Sequence, residues 1–153
     1  MSIHDRLKAA GISPQAPQAA AGAFVHAVRT GDLLFLSGHI ARRDGKPWRG
    51  RLGDDMTTAQ GKDAARAVAI DLMGTLQAAT GKLESIRRIV KLLVLVNSAP
   101  DYTEQHLVAN GASELLRAIF GDGGAHARSA IGVAQLPFGS CVEIELIAEL
   151  EPV

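Results

Sequence analysis

Apolar residues recur along this chain with two different periods, and the periods divide it into helices and strands. Between residues 58 and 80 the apolar side chains repeat at helical spacing on one side. Thr57 and Gln60 fit a capping box before this stretch, and Gly81 stands where a helix commonly ends. The pattern therefore predicts one helix from about Thr58 to Thr80.

A second stretch with helical periodicity runs from Leu107 to Phe120 and is followed by Gly121. Within it, the pair Asn110-Gly111 is unusual, because glycine inside a helix costs about 1 kcal/mol relative to alanine. Close approach of a neighbouring backbone or of a ligand would justify this glycine. A tolerated defect would explain it equally well.

The other apolar runs are typical of strands. Residues 23–28 and 33–41 flank the sequence RTGD, which predicts a β-hairpin with Gly31 in its turn. Residues 85–98 are apolar and β-branched towards their end, as in a central strand buried on both faces. Two final strands, at 127–136 and 141–150, are joined by the short sequence PFGS.

The resulting order, ββαβαββ, predicts an α+β fold in which two helices cover one face of a mixed sheet. Residues 1–19 are expected to form an N-terminal helix or arm, and residues 20–153 the single domain. The stretch 42–56 is polar and rich in glycine and arginine. It is expected to be an exposed loop with room for a short extra hairpin.

Alternation along the last two strands suggests how their side chains are divided between the two faces. Arg128, Ala130 and Gly132 share one face, and Glu143 and Glu145 lie opposite the apolar positions of their own strand. We expect one sheet face to meet the helices and the other to carry small residues and carboxylates. That second face is otherwise too apolar for a solvent face, which predicts oligomerisation.

A hairpin about residues 138–139 would place Arg128 opposite Ile147. Glu143 would then lie about 15 Å from Arg128, at ~3.3 Å per residue. On that register the two side chains form no salt bridge within one chain. They could meet only across a subunit interface.

The composition excludes several classes of protein. The chain has 153 residues, of which 47% are hydrophobic, so one globular domain with a full core is expected. Lys plus Arg and Asp plus Glu are equal at 16 each, and only 4% of residues are aromatic, which argues against nucleic-acid or anionic-membrane partners. No leader-like or membrane-length apolar stretch occurs, which predicts a cytoplasmic protein.

The sequence also predicts neither a disulfide nor a bound metal or other cofactor. Cys141 is the single cysteine and lies in an apolar run, as expected of a small buried residue. The five histidines show no metal-ligand spacing. Of these, only His126 lies close to a candidate site, where a capping or cleft-lining role is expected to outweigh proton transfer.

Arg128 and Glu143 are the candidate chemical groups. A guanidinium forms two parallel hydrogen bonds with a carboxylate and stays charged at any relevant pH. A glutamate in the same cleft could orient and deprotonate a water, or donate a proton if burial raises its pKa. Together they suit the addition of water to a small carboxylate-bearing substrate. Alternatively, Arg128 is an interface ion-pair residue and the glutamates solvate a sheet edge.

At this point the motifs are similar to those of a known family. HARSAIGVAQLP at 126–137, followed by VEIELIAEL, resembles the C-terminal signature of the Rid or YjgF-like family, also labelled L-PSP endoribonucleases. The stretches LLFLSGHIA, VKLLVLVN and NGASELLRAIF resemble its first hairpin, central strand and second helix. The resemblance extends over about residues 20 to 150. The longer polar loop at 42–56 suggests a longer branch of this family.

The resemblance implies a chorismate-mutase-like fold and a homotrimer with a ligand cleft at each subunit interface. Archetypal members hydrolyse reactive 2-imino acids and enamines, such as 2-aminoacrylate, to 2-keto acids and ammonia. By the same resemblance Arg128 clamps the substrate carboxylate and Glu143 lies near the attacking water. Further cleft positions are assigned in the same way to Phe24, Ser37, Gly38, Asn110 and Ala130.

Two of these positions depart from the family pattern. Ala130 stands where archetypal members have a cysteine, and Phe24 replaces a tyrosine, which places the substrate range in doubt. Three functions are weighed: an imine deaminase, a non-catalytic trimer that binds a small carboxylate metabolite, and a ribonuclease. The balanced charge and scarce aromatics disfavour the ribonuclease. Glu143 favours chemistry, because a carboxylate opposes simple binding of an anion.

Overall fold

The computed structural model describes all residues, 1–153. Its three α-helices are α1 (Ile3–Ala9), α2 (Thr58–Thr80) and α3 (Gln105–Phe120). Its seven strands are β1 (Ala27–Thr30), β2 (Leu33–Ile40), β3 (Arg42–Arg43), β4 (Lys46–Pro47), β5 (Ile86–Asn97), β6 (Ala127–Val133) and β7 (Val142–Leu150). Apart from α1 and the small β3–β4 hairpin, the elements follow the predicted order ββαβαββ.

The main sheet has the strand order β1-β2-β7-β5-β6 and is mixed. The pairs β1–β2, β2–β7 and β5–β7 are antiparallel, and β5–β6 is parallel. The parallel pair arises because α3 carries the chain back along the sheet between β5 and β6, as a crossover helix does. The α+β class and the mixed sheet are thus confirmed.

The long helix α2 has the predicted bounds and the predicted caps. The Thr57 hydroxyl accepts a hydrogen bond from the Gln60 backbone N–H, and the Gln60 side chain accepts one from the Thr57 backbone N–H. Gly81 ends the helix at φ 83°, in the left-handed region that glycine tolerates best. Local sequence signals alone therefore determine where this helix starts and stops.

Gly111 lies where α3 crosses α2. A Cβ atom at this position would overlap the backbone carbonyl oxygen of Lys62 on α2. The helical glycine is therefore explained by close approach of a neighbouring backbone. Asn110 directly precedes Gly111, so the distance between the two helices also affects how far Asn110 lies from the sheet.

The hydrophobic core lies between the sheet and the helices α2 and α3. On β5 the side chains facing the helices are fully buried at Ile89, Leu92, Val94 and Val96, whereas Leu93 and Leu95 on the other face are partly exposed. The expectation that this strand is buried on both faces is therefore wrong for a single chain. The helices cover one face only, and the other is here called the open face.

The predicted hairpin between the last two strands is also wrong. Both β6 and β7 pair with β5, which lies between them. The connection crosses the end of β5, with Phe138 at φ 60° and Gly139 at φ 71° turning the chain. Arg128 therefore lies level with Leu92 and Leu146, not opposite Ile147.

This strand order also changes the predicted division of faces. Ala130 pairs with Val94, and Val94 pairs with Ile144, both of which are buried beneath the helices. Arg128, Ala130 and Gly132 therefore lie on the helix-covered face and not on the face of the glutamates. The open face carries Glu143 and Glu145 together with exposed apolar side chains.

Two further segments pack against this framework. In the N-terminal arm Leu7 and Ile12 are buried in the core, and the Arg6 guanidinium donates to the backbone carbonyl of Ile119 at 3.2 Å. In the loop at 42–56 Trp48 packs partly against the core, and the Arg43 guanidinium carbon lies 5.1 Å from its ring centroid.

No helix of the chain is both long and apolar enough to cross a membrane.

Candidate functional site

Arg128 begins the edge strand β6 and extends beneath α3. Its Nη1 donates to Asn110 Oδ1 at 2.8 Å and to Ser113 Oγ at 3.1 Å, and its Nη2 donates to the His106 carbonyl oxygen at 3.2 Å. These three residues follow one another at the helical spacing that places them on one side of α3. Helix α3 thus presents a polar stripe that holds the guanidinium.

The bonds to α3 leave two donors of Arg128 for a ligand. A guanidinium has five N–H groups, and three are used by Asn110, Ser113 and His106. The remaining Nε–H and one Nη2–H are on neighbouring nitrogens, which suits the two oxygens of a carboxylate. Because Asn110 accepts from the guanidinium through Oδ1, its amide NH₂ is available as a further donor. This group of donors, here called the receptor, has the chemistry to bind an anion such as a carboxylate.

His126 lies beside this receptor. Its Nδ1 is 2.7 Å from the Gly124 carbonyl oxygen, and its Nε2 is 2.8 Å from Ser113 Oγ. Burial lowers the pKa of His126 below its ordinary 6.5, the bond to Gly124 acts in the opposite direction, and the charge of Arg128 lowers the pKa further. A neutral imidazole that is bonded at both nitrogens fits the expected structural role better than proton transfer.

Glu143 lies on the open face near the start of β7, and it is half-buried. Burial raises the pKa of its carboxyl above the usual 4.5, and the nearby charge of Glu145 raises it further. A Cβ atom on Gly38 would overlap Glu143 Oε1. Glycine at position 38 therefore provides the space in which the Glu143 carboxylate rests.

Gly38 occupies a bulge in β2. The register runs from Leu36 opposite Leu146 to His39 opposite Ile144, so two residues of β2 oppose one of β7. Ser37 lies in the same bulge and donates its hydroxyl to the Val25 carbonyl oxygen at 2.7 Å. The bulge brings the predicted pair Ser37 and Gly38 alongside Glu143.

Two histidines and a threonine hold the bulge in place through hydrogen bonds and ring contacts. His39 Nδ1 is 2.7 Å from the Ser37 carbonyl oxygen, and its Nε2 is 2.7 Å from the hydroxyl of the buried Thr75 on α2. The rings of His26 and His39 are 5.4 Å apart, and Phe24 meets His26 edge-on at 6.2 Å. Phe24 itself remains 49% exposed and is available to a ligand or a second chain.

The predicted site residues thus form two groups in one chain. The arginine half-site, on the helix-covered face, contains Arg128, Asn110 and Ala130. The glutamate half-site, on the open face, contains Glu143, Gly38, Ser37 and Phe24. As predicted, no salt bridge joins Arg128 to Glu143; the four ion pairs of the chain involve neither residue.

Three contributors to these half-sites were not found from sequence. Ser113 and the His106 carbonyl hold Arg128, and His39 holds the bulge. The spacing of Asn110 and Ser113 on one helix face was visible in the sequence. What it could not show was that β6 returns directly beneath that face.

The chain contains no group of three or more His, Cys, Asp or Glu side chains that could hold a metal ion. The single cysteine, Cys141, is fully buried, and burial raises the pKa of its thiol to about 11. The thiol is therefore protonated near neutral pH and is a poor nucleophile. The chemistry available to the two half-sites is that of a guanidinium, an amide, hydroxyls and a carboxyl group.

Comparison with known proteins places this geometry in context. Residues 13–150 match the family model described as Endoribonuclease L-PSP. The chain is 46% identical over 146 residues to Protein TCP17 of Trypanosoma cruzi, covering 94% of this chain and 91% of that protein.

Two of the solved structures that share its fold show the range of similarity. A putative endoribonuclease from Shewanella oneidensis is 32% identical and superposes with a TM-score of 0.93, covering 98% of this chain and all of the other. RidA from an Antarctic Psychrobacter species is 27% identical with a TM-score of 0.59, covering 90% of this chain and 96% of the other. The chain is therefore closer in structure to the first protein than to RidA.

Proposed function

This chain belongs to the endoribonuclease L-PSP family, also called the Rid or YjgF family, and we propose that it hydrolyses small 2-imino acids and their enamine tautomers, of the 2-aminoacrylate type, to 2-keto acids and ammonia. The observation that carries this proposal is the anchored guanidinium of Arg128, which keeps two neighbouring N–H groups for a carboxylate. The half-buried Glu143, with its raised pKa, supplies the second function that hydrolysis needs.

We propose that the reaction takes place between two chains of a homotrimer. The open face exposes Val28 (54%) and Phe35 (41%) around a depression of about 340 Å³, and Ile131 (47%) on the edge strand β6 is exposed as well. An apolar surface of this kind is typical of a face that another chain covers. In a closed ring each chain offers its arginine half-site to one neighbour and its glutamate half-site to the other.

In the shared cleft Arg128 of one chain would bind the substrate carboxylate, and the amide NH₂ of Asn110 would donate a hydrogen bond to an acceptor atom of the substrate. Glu143 of the next chain would accept a proton from water as the water oxygen bonds to the imine carbon. The proton is then returned to the nitrogen. Glu143 then takes the proton of the new hydroxyl group and passes it to the amino nitrogen, so that the C–N bond breaks, the carbonyl forms, and the nitrogen leaves as ammonia. An enamine substrate first takes a proton on its β-carbon and loses one from its nitrogen, which gives the imine.

The proposal is tested by ammonia release from imines generated in situ by an amino-acid oxidase. We expect wild type to accelerate release and Arg128→Ala to lose both acceleration and binding of 2-oxobutanoate, measured by calorimetry. Glu143→Gln should lower turnover more than it lowers affinity, as for a group that acts on water. Glu149→Gln is the matched control, since Glu149 lies on the same strand and face, where it forms ion pairs with the exposed Arg87 and Arg88.

Two results would lead to other conclusions. If no imine is hydrolysed faster but 2-oxobutanoate still binds through Arg128, the chain is a non-catalytic carboxylate-binding trimer. That alternative is supported by the arginine half-site, whose donors are assembled without Glu143. If Arg128→Ala instead abolishes the trimer, the arginine is an interface residue and the proposed clamp is wrong.

A further inference from the structure

We propose that Ser113 and His126 are positioning residues for Arg128. They form a hydrogen-bond chain of fixed direction that determines which N–H groups of the guanidinium face a ligand. This inference rests on the proposed function in one respect, namely that Arg128 binds a carboxylate. It assigns a role to Ser113, which was not predicted from the sequence, and a more specific role to His126, which was expected only to cap a segment or to line the cleft.

The direction of this hydrogen-bond chain follows from the groups at its two ends. The Gly124 carbonyl oxygen can only accept, so His126 Nδ1 carries the proton at this 2.7 Å contact. In a neutral imidazole Nε2 then holds a lone pair, and the Ser113 hydroxyl donates to it at 2.8 Å. At the other end the guanidinium can only donate, and it donates to Ser113 Oγ at 3.1 Å. Every proton in the series is thus assigned.

The chain of bonds fixes Arg128 through three separate elements. Gly124 lies in the turn after α3, Ser113 on α3 itself, and Arg128 with His126 at the entry to β6. Asn110 takes the second Nη1 hydrogen, and the His106 carbonyl takes one from Nη2. With Nη1 fully used, the guanidinium cannot turn that end towards a ligand without breaking a bond. The Nε and Nη2 side is therefore the side presented.

Burial of the His126 imidazole keeps the protons of this hydrogen-bond chain in the positions just assigned. Burial of the His126 ring lowers its pKa, and the positive charge of Arg128 lowers that pKa further. At neutral pH the ring is therefore uncharged and Nε2 remains an acceptor for Ser113. An alanine at position 113 would leave both Nε2 and one Nη1 hydrogen without their partner.

The test measures binding of 2-oxobutanoate by the full-length protein, with imine turnover as the second readout. We expect Ser113→Ala to weaken binding about tenfold, while kcat changes little because the reacting atoms are untouched. Ser113→Thr keeps the hydroxyl and should restore affinity. His126→Ala should weaken binding similarly, and His126→Gln, which can place an amide oxygen near Nε2, should lose less.

Two observations distinguish positioning from simple structural support. The double variant Ser113→Ala/His126→Ala should bind about as well as either single variant, because both interrupt one chain. Nitrogen NMR of the histidine ring should show the Nδ1–H tautomer in wild type, with a shifted Nε2 resonance in Ser113→Ala. Binding by Ser113→Ala within about twofold of wild type, or additive losses in the double variant, would overturn the inference.

The controls separate this inference from the proposed function. Arg128→Ala should abolish binding altogether, and binding that survives in Arg128→Ala would overturn the clamp itself. Protection of the buried Cys141 thiol from alkylation reports that each variant is folded. The volume-conserving variants Ser113→Thr and His126→Gln keep the comparison valid if an alanine variant does not fold.

Discussion

Arg128 and Glu143 point to opposite faces of the same sheet. Through β5 the arginine is level with Leu92 and the glutamate with Leu95, an odd separation that reverses the direction of the side chain. The guanidinium therefore lies beneath α3, and the carboxylate lies on the open face. If both act on one substrate, they must come from two different chains.

This relationship predicts complementation between two inactive variants. Arg128→Ala retains a complete glutamate half-site, and Glu143→Gln retains a complete arginine half-site. Mixed trimers formed by coexpression would contain some clefts with both intact groups. For random assembly, imine hydrolysis should recover to about a quarter of the wild-type rate.

Each variant alone, treated in the same way, serves as the control for complementation. Mass spectrometry of the intact assemblies would show whether mixed trimers have formed. Mixed trimers that remain as inactive as the separate variants would contradict a cleft shared between chains. The result does not depend on which imine is the physiological substrate.

Replacement of Gly38 by alanine should impair catalysis without unfolding the chain. The added Cβ would occupy the position of Glu143 Oε1 and displace the carboxylate. Displacement of a catalytic group by about 1 Å can cost on the order of 100-fold in rate, so kcat should fall by a similar factor. Steady-state kinetics with in-situ imines would measure it, and Gly45→Ala in the exposed β3–β4 turn is a control for the substitution.

A normal kcat for Gly38→Ala would show that Glu143 does not need its present position. Gly45 has φ 75° but no atom within contact distance of an added Cβ. Gly45→Ala is therefore a glycine replacement outside both half-sites that displaces no side chain, and its kcat should equal that of wild type.

Gly111→Ala should destabilise the fold. The new Cβ would meet the Lys62 carbonyl and force α3 away from α2. Overpacking of this kind costs about 1–3 kcal/mol, partly offset by the better helix propensity of alanine. Denaturant unfolding at fixed protein concentration would measure the loss, with Gln77→Ala at an exposed position of α2 as control. An unchanged free energy of unfolding would contradict the close helix crossing.

His39 should make the stability of the protein depend on pH. Burial lowers its pKa from the ordinary 6.5, with His26 and Arg42 adding to the lowering and the bond to Ser37 opposing it. Below about pH 6.5 the unfolded chain takes up a proton that the folded chain resists. The free energy of unfolding should therefore fall as the pH drops through this range, by at most about 1.4 kcal/mol per pH unit for this group.

Urea unfolding between pH 5 and pH 8 would measure this dependence in wild type and in His39→Gln. The variant should show a flatter profile, and His126→Gln should do the same through the second histidine with a lowered pKa. An identical slope in wild type and His39→Gln would show that His39 titrates normally. Protein concentration must be held constant, since assembly also contributes to stability.

The helices illustrate what local sequence can specify. The capping box at Thr57 and Gln60 and the glycine at position 81 determined both ends of α2 to the residue. These signals act between residues three or four apart, so no tertiary information is needed to interpret them. The first hairpin was equally predictable, because Gly31 adopts a positive φ in its short turn.

The strand order was not predictable in the same way. Two consecutive strands with a short connection usually pair, and that rule led to the wrong hairpin for β6 and β7. What decides the pairing here is the crossover through α3, which returns β6 to the free edge of β5. The same error placed Arg128 on the wrong face, although its chemical type pointed correctly to an anion.

The sequence by itself determined the elements, the class of fold and the chemical types of Arg128, Glu143 and Gly38. Only the tertiary structure decided that these groups form two half-sites on opposite faces, and that Ser113, His126 and His39 support them. The physical reason is the range of the interactions. Periodicity and capping are set by neighbours within one turn, whereas a hydrogen bond between Ser113 and Arg128 exists only after a sheet and a helix have packed together.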